Sequence, residues 1–158
     1  MKIVILGGTG LIGKALQKSC SNEHQVHCFN REAFQSVEHL ASIVEGSDLV
    51  IQLSGSTISK RWSNKIVKEM WQSRVDTNQM LSEVVQSLST KPRVICASGI
   101  SFYAESSCND PKTEEDPKGD GYLTNLNIAI EGAARSISDC RGAILLLLLV
   151  SPHILIIV

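Results

Sequence analysis

An excess of either charge is missing from this chain. Its 15 Lys+Arg against 16 Asp+Glu give a formal net charge of −1, so it has no basic face of the kind that marks a nucleic-acid binder. Cysteine pairing is missing too. The five cysteines, at 20, 28, 96, 108 and 140, are odd in number, and no two are spaced C-x-x-C. That argues against a disulfide framework and for reduced thiols in a cytoplasmic protein. Cys20, His24, His27 and Cys28 lie near one another, but His27 and Cys28 are neighbours. On a strand they point to opposite faces, so no metal site is expected. The N-terminus passes from the single Lys2 into apolar residues, without the charged region and cleavage signature of a signal peptide. The apolar tail, Ala143 to Val158, is interrupted by Ser151, Pro152 and His153. It falls short of the ~20 residues of a membrane span, and Pro152 would break a helix. A core strand followed by a second apolar segment is expected there, not an anchor. No internal repeat is evident, and 158 residues suffice for one domain with a real core.

What the chain does have comes first. Ile3 to Leu6 are apolar and run directly into Gly7-Gly-Thr-Gly-Leu-Ile-Gly13. Gly7, Gly10 and Gly13 are evenly spaced, and Gly8, Gly10 and Gly13 satisfy G-x-G-x-x-G. An amphipathic segment, Leu11 to Cys20, follows at once. A buried strand that turns on glycine into a helix gathers backbone N–H groups and the positive helix end at one spot, which suits a pyrophosphate. The glycines permit the tight turn, the approach of the phosphates and the close packing of helix on strand. A glycine turn that binds nothing is the weaker alternative.

Further along, strands are expected at Gln25 to Phe29, Asp48 to Leu53, Arg93 to Ser98 and Ala143 to Val150. Ser36 is placed to cap a short helix reaching about Glu45, with Gly46 as its stop. Ile66, Val67, Met70, Trp71, Val75, Leu81, Val84, Val85 and Leu88 recur at helical spacing, which predicts one long helix over about Ser63 to Ser89. Trp71 and the methionines are assigned to the core. Ala104 to Gly121 is polar and acidic, a long loop of the kind that often carries function. A helix over about Tyr122 to Ser138 follows. Strands alternating with helices imply a doubly wound α/β sheet.

The ordered set of segments resembles the short-chain dehydrogenase/reductase superfamily, and within it the atypical epimerase family related to nucleotide-sugar epimerases. Gly7 to Gly13 is the dinucleotide loop. Asp48-Leu-Val-Ile-Gln-Leu-Ser-Gly55 resembles D-A-V-I-N-L-A-G. Arg61-Trp62 and Ser73-Arg74-Val75 resemble R-R-W and S-R-I. Ala97-Ser98 through Tyr103 resembles S-A-S-A-V-G-Y-Y-G, and Thr113 to Leu123 resembles T-E-D-S-P-P-G-D-D-F-L. The resemblance covers nearly the whole chain but about the first half of a typical member. It implies a Rossmann-type parallel sheet with helices on both faces, spanning residues 1–158 as an NAD(P)-binding domain without the family's C-terminal substrate domain.

It also implies a cofactor site at Gly7, Gly8, Thr9, Gly10, Leu11, Ile12 and Gly13, with Leu53, Ser54 and Gly55 beside them. An acid at the end of the second strand would favour NAD through the ribose 2′-hydroxyl, whereas an arginine suits the 2′-phosphate of NADP. The chain reads Phe29-Asn30-Arg31 there. NADP is therefore expected ahead of NAD, through Arg31. Members of the superfamily usually work through a serine, a tyrosine and a lysine four residues on, and the lysine lowers the phenol's pKa. Ser98 and Tyr103 are the candidate catalytic residues, but neither Tyr103 nor Tyr122 is followed by that lysine. Other departures from the family's pattern are Ile128 and Ile130 in place of a basic residue and tryptophan, with Glu131 retained. The run Leu145 to Pro152 also lacks the usual arginine and glycine. A truncated or decayed member, or a fragment, with its cofactor half largely intact is one expectation. The expected partners are a dinucleotide and a small carbonyl or nucleotide-sugar substrate, with a homodimer as candidate assembly and neither nucleic acid nor a membrane. Three functions stay open: an oxidoreductase or epimerase, a dinucleotide-binding protein without turnover, and a remnant.

Overall fold

The computed structural model describes residues 1–103, 112–113, 115–137, 143–151 and 154–157. Cys108, Cys140, Pro152 and His153, and most of the acidic loop's first half, lie outside them. In chain order the elements are β1 (Lys2–Leu6), α1 (Leu11–Cys20), β2 (Gln25–Phe29), α2 (Val37–Val44), β3 (Leu49–Gln52), α3 (Asn64–Trp71), α4 (Thr77–Ser87), β4 (Arg93–Gly99), α5 (Tyr122–Arg135), β5 (Ala143–Ser151) and β6 (Ile154–Ile157). The sheet order is β2-β1-β3-β4-β5-β6. Neighbours from β2 to β5 pair in parallel, in the registers Ile5↔Cys28, Ile5↔Ile51 and Ile51↔Ile95. β6 pairs antiparallel with β5 (Leu147↔Ile157), so the second apolar segment of the tail closes one edge of the sheet. No helix among the described residues is long and apolar enough to cross a membrane.

Strand alternation divides the core. Ile3, Ile5 and Ile51 face α1, where Leu16, Cys20 and Cys28 pack on them. Val4, Leu6, Val50, Val94 and Cys96 face the other way, against Leu40 and Val44 of α2, Leu81, Val84 and Val85 of α4, and Ala134 of α5. Burial on both faces is why these strands read as continuous apolar runs. Cys28 packs on the α1 side and Phe29 on the opposite one, so strand alternation puts His27 on the face away from Cys28. Ser36 caps α2 by accepting from the His39 N–H at 3.2 Å. From β1 the chain moves outward to β2, then crosses back to β3 on β1's other side. The switch point thus lies between the C-terminal ends of β1 and β3, where open α/β sheets place their ligand crevice.

The long helix expected over Ser63 to Ser89 is interrupted. Between α3 and α4, Gln72–Asp76 winds as a π-helical segment. Widening the helix there frees carbonyls, and side chains take them. Thr77 Oγ1 donates to the Ser73 and Arg74 carbonyls at 3.0 and 3.1 Å, and Asn78 Nδ2 donates to the Arg74 carbonyl at 2.8 Å. Met70 fills the inward slot against Val75, Leu126 and Ile130. Trp71, about 100° further round the helix, is 37% exposed and not a core residue as expected. It lines a shallow depression of about 450 Å³ with Val67 and Tyr122.

Cys96 is buried, and burial pushes its thiol up to about 12. Burial also raises Cys28. The folded chain therefore keeps its proton on Cys96 where the unfolded chain, with a thiol near ~8.5, has lost it. The contribution to stability is complete below that value and falls as pH rises toward 12. In Cys96→Val the drop in urea midpoint between pH 7.5 and pH 10 is expected to be smaller than in the parent. Equal drops would refute the assignment.

Candidate functional site

The glycine loop leaves β1 bent toward β2. The N–H groups of Gly7 and Gly8 both donate to the Phe29 carbonyl, at 2.7 and 3.1 Å. Gly7 has φ +96, a conformation L side chains rarely adopt. A Cβ there would also lie 2.9 Å from the Leu53 carbonyl carbon and 3.0 Å from the Ser54 nitrogen. The Gly10 N–H donates to the Gly7 carbonyl at 3.1 Å, and the Lys14 N–H donates to the Gly10 carbonyl at 3.0 Å, which starts α1. Gly10 is the N-cap of α1. It brings no side-chain acceptor, and the first turn holds no acid. The positive end of the helix is thus left for an external anion. Asn30, just past β2, fixes the loop: its Oδ1 accepts from Thr9 N–H at 3.1 Å and from Thr9 Oγ1 at 2.7 Å.

A cleft of about 440 Å³ opens over this turn. Gly7, Thr9 and Gly10 form its floor, and Asn30, Arg31 and Phe34 form the wall past β2. Leu53, Ser54, Gly55 and Ser56 form the wall past β3, while Glu69, Gln72, Ser73 and Thr77 close it from the α3–α4 side. Gly8, Leu11, Ile12 and Gly13 build the turn and the start of α1 behind that floor. The π-helical segment holds the β3 exit in place. Ser73 Oγ accepts from the Ser56 N–H at 2.9 Å, and Arg74 Nη2 donates to the Ser56 carbonyl at 2.8 Å. Ser54 Oγ is buried and has no hydrogen-bond partner among the described residues, although the residue lines the cleft. A buried hydroxyl without a partner is costly, and a ligand's polar group would satisfy it.

Charge at the mouth is paired. Arg31 Nη2 lies 3.1 Å from Glu69 Oε1, with the two side chains 83% and 31% exposed. The acid that follows Arg31 in sequence is used locally. Glu32 accepts from the Asn30 N–H at 2.7 Å, and backbone N–H donation, its own and that of Asn30, holds its carboxyl below the usual carboxylate range.

The candidate catalytic pair sits outside this cleft lining. Ser98, near the end of β4, donates its hydroxyl to Glu131 Oε1 of α5 at 2.9 Å. Glu131 also lies 3.6 Å from Arg135. The Tyr103 ring meets Phe102 edge-on at 5.1 Å, and its backbone bridges to Lys118. Tyr122 donates its hydroxyl to the Val67 carbonyl at 2.8 Å and packs edge-on against Trp62 at 5.6 Å. Burial raises its phenol, while the Arg74 guanidinium acts the other way. Asn30, Ser56, Glu69, Gln72 and Thr77 are cleft residues that the motifs do not single out. No sequence signal marks them out: Glu69, Gln72 and Thr77 fall in a helical stretch that carries many other polar residues, Lys65, Lys68, Asp76 and Asn78 among them. Among the described residues no group of three His, Cys, Asp or Glu could hold a metal ion.

The profile of the NAD dependent epimerase/dehydratase family matches residues 3–125. The chain belongs to that family. It is 30% identical over 149 residues to the human epimerase family protein SDR39U1, covering 88% of this chain and 50% of that protein. The crystal structure of human SDR39U1 (isoform 2) with NADPH superposes with a TM-score of 0.74 at 26% identity, over 91% of this chain and 52% of that one. A nucleoside-diphosphate sugar epimerase from Corynebacterium glutamicum gives a TM-score of 0.72 at 25% identity, over 92% of this chain and 33% of that one. MoeE5, solved with UDP-glucuronic acid and NAD, shares the fold alone, with a TM-score of 0.73 at 18% identity over 91% of this chain and 52% of that one. The chain spans about half the length of the human relative it matches. The Rossmann-type α/β fold of this family is therefore what the sequence encodes.

Proposed function

We propose that this chain binds NADP(H) in the cleft between the ends of β1 and β3 and supplies the cofactor half of an oxidoreductase or epimerase. The observation that carries the reading is the glycine turn, which leads into the uncapped start of α1 with Arg31 at the mouth. The residues fit the group: the Gly7 to Gly13 turn is a cradle that side chains would fill, and Ser54 Oγ is an orphaned polar atom in its wall. Backbone N–H groups of the loop and the start of α1 would hold the pyrophosphate, and Arg31 the 2′-phosphate. The bound dinucleotide would supply the hydride chemistry, and the protein orientation and electrostatics. NADPH in human SDR39U1 supports the choice of cofactor. The name of the Corynebacterium glutamicum nucleoside-diphosphate sugar epimerase supports a nucleotide sugar, or a related carbonyl or alcohol, as the substrate class. Ser98 and Tyr103 are the candidates to polarise the substrate oxygen.

A second reading, dinucleotide binding without turnover, is favoured by one observation: the Ser98 hydroxyl is already donated to Glu131. Titration of the purified chain with NADPH and NADH tests the first reading's core. Tighter NADPH binding is expected, and Arg31→Ala should weaken NADPH by about 1.5–3 kcal/mol, the range for a hydrogen bond to a charged group, while leaving NADH nearly unchanged. Equal affinities in the parent, or a preference surviving in Arg31→Ala, would defeat the NADP assignment.

A further inference from the structure

Glu69 is the acid that the cleft keeps beside Arg31, and it does not come from where an acid is usual. It is supplied by α3, across the mouth from β2, and its Oε1 lies 3.1 Å from Arg31 Nη2. Glu32, next to Arg31 in sequence, is turned onto the Asn30 N–H. Glu69 and Arg31 both line the cleft. The pair therefore puts both recognition chemistries at one place: a guanidinium for a phosphate and a carboxylate for a ribose hydroxyl.

We propose that the charge of Glu69 sets how strongly this site prefers NADP(H) to NAD(H). The inference rests on the reading of the cleft as a dinucleotide site. A 2′-phosphate reaching Arg31 must displace or share the Glu69 carboxylate, and the two negative groups repel one another. A 2′-hydroxyl meets no such repulsion and can donate to that carboxylate. Arg31 alone would make the site strongly selective for NADP(H), and Glu69 tempers it. The ion pair is largely exposed, so its own strength is small and it can open when a ligand arrives.

The test is calorimetric titration of the full chain with NADPH and with NADH, in the parent, Glu69→Gln and Glu69→Asp. Glu69→Gln keeps the size, helix preference and hydrogen-bonding capacity and removes the charge. It is expected to raise the NADPH-to-NADH affinity ratio about tenfold, while Glu69→Asp, which keeps the charge, stays within about twofold of the parent. Unfolding midpoints of the variants should match the parent, because neither side chain is in the core. If both dinucleotides bind the parent and the Glu69→Gln ratio stays within about twofold, the Glu69 assignment is wrong and the site reading survives. If neither dinucleotide binds the parent, the site reading falls and this inference falls with it.

Discussion

Gly13→Ala is expected to destabilise the fold by about 2 kcal/mol and to abolish measurable dinucleotide binding, the net of an overpacking cost and a helix-propensity gain. Gly13 lies inside α1, and the added Cβ would sit 2.5 Å from the Gly7 carbonyl oxygen, 2.7 Å from Gly8 Cα and 2.8 Å from the Gly8 carbonyl oxygen. All three atoms are backbone, so no rotamer change relieves the contact. Either α1 moves off the loop or the loop moves off α1, and both destroy the alignment of the helix start with the turn. Ala is favoured over Gly in a helix interior by about 1 kcal/mol, which opposes an overpacking cost of about 1–3 kcal/mol or more for unyielding atoms. Gly132 gives the control with the opposite sign. It lies in α5, and a Cβ there meets nothing within 4 Å. Gly132→Ala should stabilise by about 0.5–1 kcal/mol and leave binding unchanged. Urea denaturation with an NADPH titration checks both. A Gly13→Ala protein that is as stable as the parent and still binds would remove the close-packing role of the loop.

That loop is legible in the sequence because a steric requirement leaves a compositional mark. Only glycine tolerates φ +96 at Gly7 and the backbone contact at Gly13. The strands were legible for a related reason: burial on both faces forces runs such as Ile3 to Leu6 to be apolar throughout. Ser36 announced its helix because a cap needs a side-chain acceptor. The π-helical segment had no such mark. Thr77 and Asn78, which take up its freed carbonyls, are residue types that also occur in ordinary helices. Trp71 departs from the core position its spacing predicts because helical spacing defines a stripe, and Met70 beside it takes the inward slot. Glu69 was invisible for a different reason. Its partner lies 38 residues away, and only the packing of α3 across the end of β2 brings them together.

Arg74 carries the second large effect, as a positioning residue that acts on the cleft through the Ser54–Ser56 segment. Its guanidinium donates to the Ser56 carbonyl at 2.8 Å and approaches the Met70 carbonyl at 3.5 Å. Gly55 rests directly on it, since a Cβ at Gly55 would lie 2.9 Å from Arg74 Cζ. Desolvation works against the charged form and lowers its pKa from the ordinary arginine value, with the Tyr122 phenol acting the other way. Arg74 nonetheless remains cationic, because arginine does not deprotonate in proteins. The charge-assisted bond to Ser56 is then worth about 1.5–3 kcal/mol, and Arg74→Ala also removes a half-buried stem. The expected loss of stability is about 3 kcal/mol, together with about a tenfold loss of NADPH affinity measured well below the unfolding midpoint. Arg74→Met should recover part of the stability by restoring packing, yet not the affinity, because the Ser56 carbonyl stays unheld. Arg74→Lys should do little better, since an ammonium lacks the planar fork that spans the Ser56 and Met70 carbonyls. A purely structural role predicts the other pattern, in which affinity follows stability and returns with Arg74→Met. That outcome, or an Arg74→Ala protein that binds NADPH as the parent does, would show that the β3 exit holds its shape without the guanidinium.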